Sequence, residues 1–146
     1  TCLRRAGRDR RRRVAPMRLL IIDDDRAILN AYVRVLDGRG WTVRAALGGQ
    51  AGIQAMMDHA FDAVRCDVQM PAADGRQVYE AAKRLGYSDH IVFWSGAWNL
   101  TAAFAAELDS DGVPRVAKPA LDGEVIVAIQ RVAADRHAQQ EALHEG

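Results

Sequence analysis

Leu19-Leu20-Ile21-Ile22-Asp23-Asp24-Asp25 is an apolar run that stops abruptly on three carboxylates. Three later runs have the same form. Phe61-Asp62-Ala63-Val64-Arg65-Cys66 ends on Asp67 and continues as Val68-Gln69-Met70-Pro71. Ile91-Val92-Phe93-Trp94 ends on Ser95-Gly96, and Val113 to Ala117 ends on Lys118-Pro119. Each strand-like segment therefore delivers a polar, chemically capable residue at its C-terminal end. In an open parallel sheet those ends lie together, and such folds place their sites there. An acid pair, a single acid, a hydroxyl and a lysine then form one constellation suited to a divalent cation and a phosphoryl group.

The intervening segments read as helices. Ile28, Leu29, Tyr32, Val33 and Leu36 fall on one helical face, and Gly38 and Gly40 stop that helix. Trp41 to Ala45 is a second strand. Gly48-Gly49 opens a helix to about His59 with Ile53, Met56 and Met57 inward. The third strand covers about 62–67, and Pro71 with Asp74-Gly75 marks a turn before a helix to about Leu85. A fourth strand spans about 91–95, a helix about 99–108, and a fifth strand about 113–117. The last helix begins near Asp122, an N-cap, with Val125, Ile126, Ile129 and Val132 on one face. Five such βα units predict a doubly wound parallel sheet in three layers, with right-handed crossovers.

A chain of 146 residues is one domain's worth. No apolar stretch approaches the roughly 18 residues of a membrane helix. Cys2 lies in a polar segment and Cys66 in an apolar run, which is no disulfide framework or zinc site, so a cytoplasmic setting is expected. The histidines lack metal-ligand spacing, and His137 and His144 read as solvated helix-face residues. The net charge of +1 is unevenly spread: residues 1–16 carry seven arginines against one acid, leaving thirteen basic and eighteen acidic residues, a net of −5, in the remainder. That balance argues against nucleic-acid affinity in the folded part. Residues 1–16 read as a disordered Arg-rich tail, residues 17–133 as the domain, and 134–146 as a polar helical extension or C-terminal tail.

The acids set the chemistry. Like charges this close repel unless a cation neutralises them. Mg²⁺ suits a few carboxylates with phosphate oxygen and water, and Mn²⁺ is the natural substitute. An aspartate can itself be a nucleophile, forming an aspartyl-phosphate. A lysine ammonium supplies a point charge to a phosphoryl oxygen. Phosphoryl transfer asks mainly for positioning and charge neutralisation.

At LLIIDDD, FDAVRCDVQMPAADG, VFWSG and VAKP the sequence resembles the receiver domain of bacterial two-component response regulators. The resemblance runs from about Met17 to Ala133. Each motif is weak alone, but four in order, each ending a strand, are specific. The resemblance implies the strand order 2-1-3-4-5 of a flavodoxin-like sheet. It makes Asp67 the phosphoacceptor, charged by a histidine kinase or phosphotransfer protein. Asp24 would bind Mg²⁺ directly, Asp23 directly or through water, and the backbone carbonyl of Gln69 would add a ligand. Lys118 would pair with the phosphoryl group, or with Asp67 before transfer, and Ser95 would be the switch hydroxyl. Lys118-Pro119 would be a cis bond, inexpensive only before proline. Such a domain is a signalling protein that catalyses its own phosphorylation, not an enzyme on a separate substrate. Its partner face, and the surface for a homodimer, would be the fourth helix, fifth strand and fifth helix. Ala97 and Trp98, just past Ser95, would move with the switch, Trp98 serving in packing or partner contact.

Two residues depart from the pattern. Three positions before Lys118 the family usually has an aromatic, and here Arg115 stands. Arg65 sits mid-strand where an aliphatic is usual, and it must reach solvent or a partner acid. Three alternatives remain beside the receiver. One is a pseudo-receiver that works without phosphate, and another is a DNA-binding regulator using the arginine run. A haloacid-dehalogenase-like phosphatase would need an acid where Gln69 stands.

Overall fold

The computed structural model describes residues 17–70, 73–95, 100–117 and 122–144. Within them the strands are β1 (Arg18–Asp23), β2 (Thr42–Leu47), β3 (Ala63–Asp67), β4 (Ile91–Ser95) and β5 (Arg115–Ala117). The helices are α1 (Arg26–Asp37), α2 (Gly49–Asp58), α3 (Gly75–Arg84), α4 (Ala102–Asp111) and α5 (Asp122–His144). The strands form one parallel sheet in the order β2-β1-β3-β4-β5, as the resemblance implies.

Two cores explain why β1 is apolar throughout rather than alternating. Leu20 and Ile22 face a cluster with Met56 of α2, Val78 and Tyr79 of α3, and Phe104 and Leu108 of α4. Leu19 and Ile21 face the other cluster, with Leu29, Tyr32 and Leu36 of α1 and Val125, Ile126 and Ile129 of α5. A strand covered on both faces has no solvent side to keep polar. β3 is buried along its whole length, which makes Arg65 within it a chemical anomaly.

Local chemistry sets the helix boundaries. Asp25 caps α1, its carboxylate accepting from the backbone N–H groups of Ala27 and Ile28. Replacing it with alanine is expected to cost roughly 1 kcal/mol, measured as a lower urea midpoint at unchanged slope. Thr101 caps α4 through Phe104, so that helix starts at Ala102 rather than near 99. Asp74 and Gln77 form a reciprocal capping box on α3.

One orientation differs from expectation. Met57 is exposed, whereas Met56 is buried and Ile53 half-buried. The inner face of α2 is built from small residues, with Gly52 against the side chain of Ile22 and Ala55 buried beside Met56. The helix thus packs close to β1, and Met57 turns outward. Residues 1–16 and the Lys118-Pro119 bond lie outside the described residues. Among the described residues no helix is long and apolar enough to cross a membrane.

Candidate functional site

Strand register assembles the site. Ile22 pairs with Cys66, the residues just before Asp23 and Asp67. Asp67 pairs with Trp94, just before Ser95. Ser95 pairs with Ala117, just before Lys118. The C-terminal ends of β1, β3, β4 and β5 therefore lie side by side, which is where an open parallel sheet holds its ligands.

Asp23, Asp24 and Asp67 come together there, each offering a carboxylate oxygen within 4.8 Å of the others. Asp23 is fully buried, Asp67 is 4% exposed and Asp24 is open to solvent. Three hard oxygen donors so close, with one facing water, fit a small divalent cation that keeps some of its hydration. Asp25 points elsewhere, being committed to capping α1.

The loop after β3 is held tightly. The Gly75 N–H donates to the Val68 carbonyl at 2.7 Å, and a Cβ on Gly75 would lie 2.7 Å from the Val68 Cα. Glycine is required by that close approach. The closure keeps Gln69 beside Asp67, although Pro71 and Ala72 lie outside the described residues.

Asp23 is already engaged on both oxygens. One accepts from the Asp25 backbone N–H at 2.9 Å, and the other from Arg65 Nη1 at 2.8 Å. Arg65 and Asp23 are both fully buried. The guanidinium faces two rings, 4.7 Å from the Tyr32 centroid and 4.4 Å from that of Trp94. A weakly hydrated planar cation against aromatic faces is a favourable way to bury charge. Arg65 thus has its acid, a partner left open by the sequence alone. The signal for it was parity: Arg65 pairs with Val92, so Trp94, two residues on, stands on the same sheet face. Trp94 is half-buried and packs with the α1–α5 core.

The thiol of Cys66 is pushed well above its usual pKa, chiefly by burial, so it stays a neutral core group. Arg115 is exposed and pairs with Asp109 of α4, Nη2 to Oδ2 being 3.1 Å. Ser95 is placed by its backbone alone, and Ala97, Trp98 and Lys118 lie outside the described residues.

The profile of the response regulator receiver domain family matches residues 19–130. The chain belongs to that family, a receiver domain of the kind used in two-component signalling. It is 44% identical over 66 residues to the sensor protein GacS of Pseudomonas syringae pv. syringae, covering 45% of this chain and 7% of that protein. It is 35% identical over 71 residues to the response regulator MprA of Mycobacterium sp. (strain KMS), covering 49% of this chain and 31% of that one. The chain thus spans a minor part of these relatives. Among solved structures it is similar to a response regulator receiver protein from Sinorhizobium medicae WSM419, with a TM-score of 0.68 and 26% identity, covering 84% of this chain and 98% of that one.

Proposed function

We propose that the domain accepts a phosphoryl group on Asp67 from the phosphohistidine of a histidine kinase or phosphotransfer protein and changes its affinity for a partner in response. The observation that carries this reading is the meeting of Asp23, Asp24 and Asp67 at the ends of β1 and β3. An Asp67 oxygen attacks phosphorus, the P–N bond to the imidazole breaks, and the ring leaves with the electron pair and takes up a proton. Mg²⁺, when bound, neutralises charge on the phosphoryl oxygens and the acids. Asp24, Asp67 and the Gln69 carbonyl would hold the ion, with Asp23, taken up on both oxygens by Asp25 and Arg65, adding charge behind it rather than a ligand oxygen. Lys118 would steady the phosphoryl oxygens, and Ser95 would be drawn to them after transfer. The moving loop would carry Ala97 and Trp98 towards the partner face of α4, β5 and α5, also the surface for a homodimer. A two-state element is what lets a local charge be read at a distance. With Arg115 paired to Asp109 on the surface, the switch would run through the Ser95 loop rather than through a rotating side chain at 115.

The metal assignment separates two adjacent acids. Asp24→Ala should weaken Mg²⁺ binding by at least about tenfold, the effect of losing a charged ligand, whereas Asp25→Ala should lose stability but keep Mg²⁺ affinity. Trp94 fluorescence during Mg²⁺ titration reports both. Equal losses in the two variants would place the ligands out of register. The GacS and MprA similarities support a two-component partner, and the site acids weigh against a phosphate-independent module.

A further inference from the structure

A fully buried arginine beneath a cluster of acids needs a reason. Hydrogen bonding accounts for part of it: Nη1 binds Asp23, but among the described residues Nε and Nη2 have no hydrogen-bond partner. A leucine or isoleucine would fill the space between Tyr32 and Trp94 without that cost. What an aliphatic residue cannot supply is charge. Three carboxylates with oxygens within 4.8 Å of one another carry three negative charges, and Arg65 reduces the group to two. One divalent ion neutralises what remains.

We propose that Arg65 is a built-in counter-cation of the acid cluster. It claims Asp23 as its own partner, leaving Asp24 and Asp67 to carry the divalent ion, and so sets the affinity of the site for that ion below what three free carboxylates would give. Both Asp23 oxygens are already accepting hydrogen bonds, from Asp25 and from Arg65. A positive charge on one acid repels a second cation approaching its neighbours. Arg65 is therefore a positioning residue, acting on the ion through Asp23. The inference rests on the metal-assisted receiver reading above and assigns Arg65 a regulatory part in it.

The test is calorimetric titration of Mg²⁺ into the intact chain, with no phosphodonor present. Four proteins are compared: wild type, Arg65→Met, Arg65→Lys and the double variant Asp23→Asn/Arg65→Met. Arg65→Met should bind Mg²⁺ about tenfold more tightly than wild type, because one like charge beside the ion is gone. Its melting temperature should also rise further on Mg²⁺ addition than that of wild type. Arg65→Lys keeps the charge, so its affinity should stay within about threefold of wild type. The double variant keeps the net charge of the cluster, and it too should remain within about threefold. A purely packing role would disturb Arg65→Lys as much as Arg65→Met and would tighten neither.

A folded Arg65→Met with wild-type or weaker Mg²⁺ affinity overturns the proposal. So does a double variant that no longer binds Mg²⁺, since Asp23 would then be a needed ligand. If Arg65→Met fails to fold, an Arg65→Lys or double variant outside the threefold range still overturns the proposal. Asp24→Ala separates this failure from that of the underlying reading. If it loses Mg²⁺ while the Arg65 variants leave affinity unmoved, only the counter-cation role falls. If Asp24→Ala binds as wild type does, the metal site itself is misplaced and both fall.

Discussion

Asp67→Asn should reduce phosphoryl uptake from a small phosphodonor to the uncatalysed background. The amide is nearly isosteric, so β3 and its neighbours should stay as they are, but it lacks the carboxylate oxygen that would attack phosphorus. The other carboxylates do not replace it. Asp23 is held on both oxygens by Asp25 and Arg65, and Asp25 is committed to the α1 cap. Asp24 is solvent-exposed, where water competes for both its carboxylate and the phosphoryl group. Intact mass after incubation with Mg²⁺ and acetyl phosphate measures the adduct. An adduct of wild-type size in the variant would remove Asp67 from its role.

The largest stability effect is expected at Arg65. Truncation to alanine leaves Asp23 buried and charged without its guanidinium, and a broken buried pair of this kind costs roughly 3–5 kcal/mol. Replacing both partners, as in Asp23→Asn/Arg65→Met, removes the charges together and should cost far less, since a buried pair exchanged for groups of similar volume is often near neutral. Urea unfolding in the absence of divalent ions measures both. High salt should change the difference little, because screening acts weakly on a pair with no solvent access. A loss below about 1 kcal/mol in Arg65→Ala, the value of an exposed pair, would mean that Asp23 finds another partner and that the buried pair is not what secures this end of the sheet.

Much of the architecture is readable because burial on two faces leaves long apolar runs. Leu19 to Ile22 and Ala63 to Cys66 announce central parallel strands, interrupted only by Arg65. Parallel strands must return through crossovers, and the polar residue ending each run then marks the site edge. Boundaries that depend on one hydrogen bond were less legible. Thr101 Oγ1 decides where α4 starts. β5 shortens to Arg115–Ala117 because the Val113 N–H is taken by the Leu108 carbonyl at the end of α4. The turning out of Met57 follows from how closely Gly52 approaches Ile22, a contact between elements that periodicity within α2 does not contain. The Arg65 environment draws on β1, α1 and β4 at once. Its oddity is visible in sequence, but its partners require the register of three strands.

The same contrast separates the two departures from the family pattern. Arg115 sits at the sheet edge, so a nearby surface acid, Asp109, suffices for it. Arg65 sits in the middle strand, where its outlets among the described residues are the acid at the end of β1 and the two rings. The first departure changes a surface, and the second changes the charge beside the cluster of Asp23, Asp24 and Asp67.

The central claim is that Asp67 carries the phosphoryl group, and locating the modified residue tests it most directly. Borohydride reduces an acyl phosphate to the corresponding alcohol, turning a phosphorylated aspartate into homoserine. Cleavage after arginine separates the candidates, since Asp23, Asp24 and Asp25 fall between Arg18 and Arg26, whereas Asp67 falls between Arg65 and Arg76 with Asp74 as its only acidic companion. Fragment sequencing by mass spectrometry should find homoserine at position 67 in protein treated with acetyl phosphate and Mg²⁺, and none without the phosphodonor. Homoserine at position 23, 24 or 74 with position 67 unmodified would contradict the account.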